Sequence, residues 1–437
     1  EMVGEDLPVM PIDHPLTFFG PYREFAGTGK EIGWPLMRDQ GNSAYMRDTG
    51  DPTSSEGGMI EWGYYEEKTP RLCHPRDLQS KEQARLSPSQ RDLDIEQIME
   101  PLERAIELTP ILGELGYEEK RSFNGLLQVT SDGGPSIGES QKARGLWYAV
   151  AIWVKDGPGM GKLIADWMTD GRTHIDHHAI DYARFYPHQM EEDFIAERCT
   201  ETAMKVYNPA VHPREPFSKA RNLRRSPFHA REVELGGHFM ELGGWERAHG
   251  YAANAHLVDK YADRVPVREN EWDNRHFWRV SNAEHLEMSE NCGIVNLSHF
   301  AIYDVEGPDH VALMEWLCAA RIGGDANIGK GIYTHFLDDE GMVRADLTVI
   351  RMADRCRVVD GADAGPRDFH YMRRTAEERG LDVTITDVTE RYVTIGIWGP
   401  NARVTLQKAV EDPGALSLKN FPFAAIRPVR IAGKDVT

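Results

Sequence analysis

The chain has 437 residues, 41% of them hydrophobic, with 50 Lys plus Arg against 70 Asp plus Glu and a net charge of −20. That length suggests about two to four domains, each able to bury a core. The acidic balance argues against nucleic acid as the main partner, since a phosphate backbone calls for a basic face, and it fits a surface kept soluble by self-repulsion.

The first stretch, to about Leu86, alternates short apolar runs with turn signals, as in SAYMRDTGDPTSSEGGMIEWGYYEE. It predicts antiparallel strands joined by tight turns. Apolar residues three and four apart predict a helix over DLDIEQIMEPLERAIELTPILGEL. A strand pair follows, FNGLLQVTSDGGPSIGES and GLWYAVAIWV. The Gly-rich turn DGPGMG then leads into a helix, KLIADWMTDG, closed by Gly171. Residues 187–254 are rich in Arg, His, Pro and Gly and weakly periodic, and read as a connector of helix and loop. From about Val265 a second α/β pattern begins: strands over CGIVNLSHFAIYDVEGPD, a helix over DHVALMEWLCAA, and strands around a turn over GIYTHFLDDEGMVRADLTVIRMADRCRVVDGA. A helix (DFHYMRRTAEERG) and further strands complete the chain.

The five cysteines, Cys73, Cys199, Cys292, Cys318 and Cys356, are widely spaced and form no CxxC pair. They read as reduced thiols rather than a disulfide framework or zinc site. No apolar run of about 18 residues predicts a membrane span, and EMVGEDLPVMPIDHPL lacks the pattern of a signal peptide. A cytoplasmic location is expected, or the mitochondrial matrix in a eukaryote. THIDHH, Thr173 to His178, groups three histidines but lacks an HExxH-like scaffold and reads as a surface loop, so no metal site is expected.

Three segments suggest chemistry. Gly157, Gly159 and Gly161 would let a ligand approach the backbone closely, with a helix N-terminus behind them to face an anion. Their G-x-G-x-G spacing matches neither a P-loop nor G-x-G-x-x-G, and a plain tight turn is the competing reading. SDGGPSIGE followed by GLWYAVAIWVKDGPGMGK resembles the C-terminal flavin-binding half of the glycine-oxidase and sarcosine-oxidase superfamily, with DYARF (Asp181 to Phe185) at its acid and R-F position. The resemblance implies FAD contacts at Asp132, Gly133, Pro135, Gly138, Gly157, Gly159 and Gly161. Upstream, PIDHPLTFF, PLMRDQGNSAYMR and GYYEE resemble the substrate domain of dimethylglycine dehydrogenases and place His14 and Tyr45 at catalytic positions. Oxidation of an N-methyl amine needs the neutral amine, and a histidine can accept or relay that proton. A turn histidine and a core strand tyrosine are the competing readings.

The connector text, with His212-Pro213, Arg221 to Arg225, Ser226-Pro227 and Gly244-Trp245-Glu246-Arg247, resembles the segment joining the halves of these fused enzymes. Its Arg run alone reads as a solvated helix face. GIVNLSHF, VEGPDH, GKGIYTHFLDDEGMVRADLTVIRM and IGIWGPNARVTL resemble the N-terminal part of the glycine-cleavage T-protein, an aminomethyltransferase. That likeness places Asp346 before L-x-V at the start of a strand, as the carboxylate that holds folate and steers a proton. It places Tyr333 in the pterin pocket. Asn296 stands where that family usually has Asp, and Glu340-Gly341 where it has Gly-Gly.

The fold class implied is α/β and α+β, multidomain. Residues 1–186 form a partial glycine-oxidase-like flavoprotein domain, an antiparallel substrate sheet plus a C-terminal FAD-binding segment. Residues 187–254 are the connector, and 255–437 are a partial aminomethyltransferase-like folate domain. The resemblance implies oxidative demethylation of an N-methyl amino acid, of dimethylglycine or sarcosine type, with FAD and tetrahydrofolate as cofactors. Oxygen or an electron-transfer flavoprotein is left open as acceptor. Two alternatives remain. One is a non-redox folate-dependent aminomethyltransferase or demethylase with a scaffold-like flavin half. The other is an oxidase of the 4-methylaminobutanoate type. The resemblance also implies a dinucleotide-gripping region before this stretch and the rest of the folate module after it, with this stretch inactive alone.

Overall fold

The computed structural model describes residues 3–26, 33–50, 57–74, 89–272, 275 and 278–437. The expected turn across 51–56 and the segment 75–86 lie outside the described residues. The chain divides into two compact units. The first comprises Glu1–Ile180, Pro187–Pro213 and Ser218–Ala220; the second comprises Asp181–Tyr186, Arg214–Phe217 and Arg221–Thr437.

The first unit is built on an antiparallel six-stranded sheet in the order β2-β3-β4-β1-β6-β5. Its strands are β1 (Val9–Phe19), β2 (Met37–Asp39), β3 (Ala44–Asp48), β4 (Ile60–Tyr64), β5 (Gln90–Asp92) and β6 (Phe123–Thr130). Helix α1 (Ile95–Leu108) is capped by Asp94, whose side chain accepts from the Glu96 N–H. Ile98, Leu102 and Ala105 lie on one stripe of α1 and join Ala44, Met46, Ile60, Trp62 and Phe19 in one core. A hairpin of β7 (Ser136–Glu139) and β8 (Trp147–Val150) leads to α2 (Gly157–Asp170), which ends at Gly171 in the left-handed region, φ 74°. Helix α3 (Glu192–Val206) covers part of the sheet's other face, packing Ile195, Cys199 and Ala203 on Met10, Ile12 and Val129.

The second unit opens with α4 (His229–Glu234) and the hairpin β9 (Gly237–Leu242) and β10 (Trp245–Tyr251). After α5 (His256–Lys260) and α6 (Trp278–Glu290) come β11 (Gly293–Asn296), β12 (Ala301–Glu306) and α7 (His310–Leu317). Then follow β13 (Lys330–Leu337), β14 (Val343–Arg351), β15 (Arg355–Asp360), α8 (Gly365–Arg379), β16 (Thr384–Asp387) and β17 (Ile395–Trp398). An antiparallel five-stranded sheet, β13-β14-β15-β12-β16, is covered on one face by α7 and α8. Leu313, Met314 and Leu317 meet Met372 and Ala376 there, over Val305, Phe336, Leu347, Val349 and Val358.

Three local expectations are corrected. Gly157, Gly159 and Gly161 lie in the first turns of α2 itself, not in a turn before it. Pro158 explains the early start, since its fixed φ suits a helix's first position and its missing N–H costs nothing there. Residues 187–254 hold a β-hairpin as well as helix and loop. Gly243 and Gly244 both take positive φ, 59° and 81°, the pair of values that a two-residue hairpin turn requires. The arginines at 221–225 do not lie on a solvated helix. Arg221 grips the side chain of Glu246, Nε to Oε1 at 2.9 Å, and that carboxylate is 2% exposed. Burial pushes the Glu246 pKa up, but Arg221 and the Asn222 N–H outweigh it and hold it below the ordinary carboxyl range. Arg224 lies over the rings of Trp245 and Tyr186, at 4.3 and 5.0 Å from their centroids.

The second unit also buries a carboxyl pair. Asp360 ends β15, and Asp368 lies in the first turn of α8, where Arg367 holds it through two bonds of 2.8 and 2.9 Å. Burial raises both carboxyls. Arg367 offsets the rise at Asp368, while the Asp368 charge adds to it at Asp360, so the shared proton resides on Asp360. Because the folded pKa of Asp360 lies above its unfolded value, its contribution is complete below about pH 4 and is lost as pH rises toward the raised value. Asp360→Asn keeps a neutral donor at that place. Its stability should therefore fall less than wild type between neutral and alkaline pH in thermal melts, and parallel pH curves would show that Asp360 is not the protonated partner.

Candidate active sites

Strand alternation sets the first site. β4 lies between β1 and β3, with Leu16 opposite Gly63 and Gly63 opposite Tyr45. Side chains two apart share a face, so His14, Leu16, Gly63 and Tyr45 share the face opposite α1. Gly63 has no side chain, and the Tyr45 ring occupies that space: a Cβ at position 63 would lie 2.2 Å from Tyr45 Cζ. The phenol thus crosses β4 and reaches His14, Nε2 to Oη 3.1 Å.

The pair sits in an aromatic box that sequence reasoning did not find. Tyr65, just past β4, stacks on His14 at 4.7 Å between centroids and on Tyr207 at 3.9 Å. Tyr207 follows the end of α3, and its carbonyl accepts from Gln40 Nε2 at 2.7 Å and from Ser43 Oγ. Trp153 stacks on Tyr207 at 5.7 Å and donates its indole N–H to the Gln128 carbonyl at 2.8 Å. Arg38, on β2, lies over Tyr207 and Tyr65 at 4.5 and 5.1 Å. The local signal was weak. Tyr65 and Tyr207 are 142 positions apart in the chain, and only the docking of α3 on the sheet brings them together.

Burial decides the protonation states. It lowers the His14 pKa to about 4, although the ring's bond to the Tyr64 carbonyl pulls the other way. His14 is therefore neutral at pH 7 rather than titrating there. Burial first, and Tyr65 next, push the Tyr45 pKa up, so Tyr45 keeps its proton. A neutral imidazole beside a phenol can accept one hydrogen bond and relay a proton.

Trp153 links the box to the glycine-rich helix start, because the N–H groups of Asp156 and Gly157 both donate to its carbonyl, at 2.8 and 3.1 Å. A Cβ added at Gly157, Gly159 or Gly161 would meet nothing within 4 Å among the described residues. Internal packing thus gives no reason for glycine there, whereas close approach by a flat ring does. The Asp156 side chain makes no capping bond, which suits a ligand oxygen near the helix N-terminus. The hairpin joins the same region through Trp147 against Trp167 of α2, 5.5 Å apart. Asp132 commits its carboxylate to its own turn, accepting from Thr130 Oγ1 at 3.0 Å and the Gly134 N–H at 3.2 Å. Gly133 and Gly138 take positive φ, and the half-buried Pro135 leads into β7. These residues shape the hairpin, and the glycines of α2 fit a flavin better than Asp132 does.

The second site lies on the open face of the five-stranded sheet. His335 of β13 stands opposite Asp346 of β14, and Tyr333 is the diagonal neighbour on the same face. The Tyr333 hydroxyl donates to Asp346 Oδ2 at 2.9 Å, and that bond raises the phenol pKa. Asp346 lies inside β14, not at its start as the sequence suggests. Ala345 and Leu347 on either side of it point into the core, so its carboxylate stands out from the sheet face, exposed. Asn296, by contrast, donates its amide to Ser226 Oγ at 2.7 Å and to Glu232 Oε1 at 3.2 Å, a structural role. In the THIDHH segment, His174 pairs with Asp170 and His178 with Asp176. Among the described residues, no group of three His, Cys, Asp or Glu side chains could hold a metal.

The two kinds of glycine make a stability test. Gly63→Ala should cost about 1–3 kcal/mol, because its methyl collides with Tyr45. Gly159→Ala should be neutral or stabilising by up to about 1 kcal/mol, by helix propensity in open space. Denaturant unfolding of both variants measures this, and equal effects would show that Tyr45 does not lie over Gly63.

Three family models match the chain in succession: FAD dependent oxidoreductase over residues 1–167, FAD dependent oxidoreductase central domain over 170–226, and GCVT N-terminal domain over 228–437. The chain is 30% identical over 380 residues to 4-methylaminobutanoate oxidase (formaldehyde-forming) of Paenarthrobacter nicotinovorans, covering 86% of this chain and 42% of that one. It is 24% identical over 443 residues to mitochondrial dimethylglycine dehydrogenase of Rattus norvegicus, covering 100% and 48%. To mitochondrial sarcosine dehydrogenase of Homo sapiens it is 25% identical over 443 residues, covering 91% and 45%. The chain thus spans less than half the length of these relatives. In the order of its FAD dependent oxidoreductase and GCVT N-terminal domain matches, and in sequence, the chain is similar to the dimethylglycine and sarcosine dehydrogenases and to 4-methylaminobutanoate oxidase.

Proposed function

We propose that the protein removes an N-methyl group oxidatively from a small N-methylated amino acid and passes the carbon to tetrahydrofolate. The observation that carries this reading is the His14–Tyr45 pair inside an aromatic box that leads, through Trp153, to the bare glycine face of α2. FAD against Gly157, Gly159 and Gly161 would take up the hydride from the N-methyl carbon. The chain's own groups do the rest. Aromatic faces at Tyr65 and Tyr207 suit N-methyl groups, and the exposed Arg38 guanidinium suits the substrate carboxylate. The burial that keeps His14 neutral also disfavours a charged amine in the box, so the amine binds as the reactive free base and its proton leaves through His14 and Tyr45.

On the second unit, Asp346 and Tyr333 offer a carboxylate and a phenol to a nitrogen-rich heterocycle such as the pterin of tetrahydrofolate. Asp346 would orient the reacting nitrogen and accept its proton as the one-carbon iminium is captured. Dimethylglycine and sarcosine are the substrates the relatives' names favour; 4-methylaminobutanoate is the runner-up, also from a relative's name. Either oxygen or an electron-transfer flavoprotein would take the electrons from the reduced flavin. No helix among the described residues is long and apolar enough to cross a membrane. The five thiols stand unpaired, which supports a reducing compartment such as the cytoplasm or the matrix.

His14→Ala should slow flavin reduction about 100-fold or more in stopped flow with the full-length, flavin-loaded protein. Since the His14 pKa is lowered to about 4, the wild-type rate should show no inflection near pH 6.5 from this residue. Reduction by the mutant at the wild-type rate, or an inflection near 6.5 that disappears with His14, would contradict the assignment.

Asp346→Ala should leave flavin reduction nearly unchanged. With folate present and at matched amine turnover, it should lower the yield of methylenetetrahydrofolate and raise free formaldehyde, because the iminium meets water instead. An unchanged product ratio removes Asp346 from the transfer step. Lost flavin reduction in a folded mutant would show that the two chemistries are not separate.

A further inference from the structure

The second unit holds a cavity of about 320 Å³ that neither chemistry uses. Its walls include Arg224, Arg225, Trp245, Ser298, Glu390 and Tyr392, with Leu223, Pro227 and Val393 as apolar surface. It is distinct from the Tyr333–Asp346 face, and none of those residues lines it.

Three features point to a ligand. Trp245 is 7% exposed, yet its indole N–H has no partner among the described residues. The Arg224 Nε–H is likewise buried and unpartnered, although other atoms of that guanidinium reach the Gly243 carbonyl at 3.3 Å and Glu390 at 3.5 Å. An unmatched buried donor costs about 1–3 kcal/mol, and both belong to residues that line this one cavity, so an acceptor that enters it and draws either side chain outward by a small shift would recover that cost. Third, Arg225 is exposed and makes no hydrogen bond or ion pair among the described residues. Arg224 is pinned between Trp245 and Tyr186, so its charge is fixed in place before any ligand arrives.

We propose that this cavity binds a small organic monocarboxylate with a flat or apolar body. The charge sets the valence. Two guanidiniums against the one carboxylate of Glu390 leave a single positive charge, which a monoanion neutralises and a dianion exceeds. The carboxylate pairs with the exposed Arg225, beside Arg224 and Trp245, where charge-assisted bonds are strongest. The body lies along Trp245, Pro227 and Val393. A cavity of this size lies at the lower end of the range for small-molecule sites.

Isothermal titration of the full chain with benzoate, a flat monocarboxylate, tests this. Wild type should show saturable binding that weakens at least about 10-fold in Arg225→Gln, the loss of one charge-assisted pair. Arg225 is exposed, so the variant should melt at the wild-type temperature. Trp245→Phe, which keeps the ring but removes the N–H, should also weaken binding. Arg38→Gln, on the first unit, should leave it unchanged. Three results would overturn the proposal: no saturable benzoate binding up to about 10 mM, equal affinity in Arg225→Gln, or loss with Arg38→Gln alone, which would put the benzoate in the amine site. Inorganic phosphate serves as the control anion, and binding as tight as benzoate's would replace a monocarboxylate pocket with an unselective anion site.

Discussion

A β-strand offers alternate side chains to two faces, and everything chemical here depends on that division. Each unit uses one face of its sheet for a core and leaves part of the other face to polar and aromatic groups. On the first sheet, Phe19, Ile60, Trp62 and Met46 turn to α1, which sends His14, Gly63 and Tyr45 the other way. On the second, Ala345, Leu347 and Val349 turn to α7 and α8, which sends Asp346 outward. A slip of one residue in register would exchange core for site in either sheet. The core therefore enforces the placement of the catalytic candidates, and their geometry is a by-product of hydrophobic burial.

Burial then sets the electrostatics. His14 is held neutral by desolvation against a hydrogen bond that favours its charge. Asp360 keeps a proton because burial, and after it the Asp368 charge alongside, raise its carboxyl more than the Gly361 N–H and Arg367 lower it. Glu246 is the opposite case: burial raises its carboxyl too, but it stays ionised because Arg221 and a backbone N–H meet it directly. Local pairing and depth together separate these three outcomes.

Much of this was legible in the sequence because it is local. The period-two runs around VMPIDHPLTFF and LTVIRM, the helical stripe of α1 and the Gly171 stop all rest on neighbours within a few residues. His14, Tyr45, Tyr333 and Asp346 were picked out by resemblance, and the fold brings each pair within hydrogen-bond distance. Errors arose where one residue's effect reached further than its neighbours. Pro158 moved the start of α2 forward onto the glycines. Gly243-Gly244, a hairpin signal in its own right, was obscured by the polar composition around it. The Arg run read as solvated because Glu246, its partner, lies 25 positions from Arg221. Tyr65, Trp153 and Arg38 lie in segments that carried the resemblance, but nothing in the sequence grouped them with Tyr207, because what unites the four is a tertiary contact between α3 and the sheet.

The glycines show how a missing side chain can be read. Gly63 and Gly159 look alike in the sequence, each flanked by larger residues. At Gly63 the vacant volume is filled by Tyr45 of the same chain, so the glycine is explained without any ligand. At Gly157, Gly159 and Gly161 the vacant volume meets nothing among the described residues. Three such positions within five residues weaken a helix start by roughly 0.5–1 kcal/mol each relative to alanine. Among the described residues the fold gains no packing in return. A flat ring lying against the helix start would supply the missing contact, which is why the FAD proposal rests on α2 rather than on the hairpin before it.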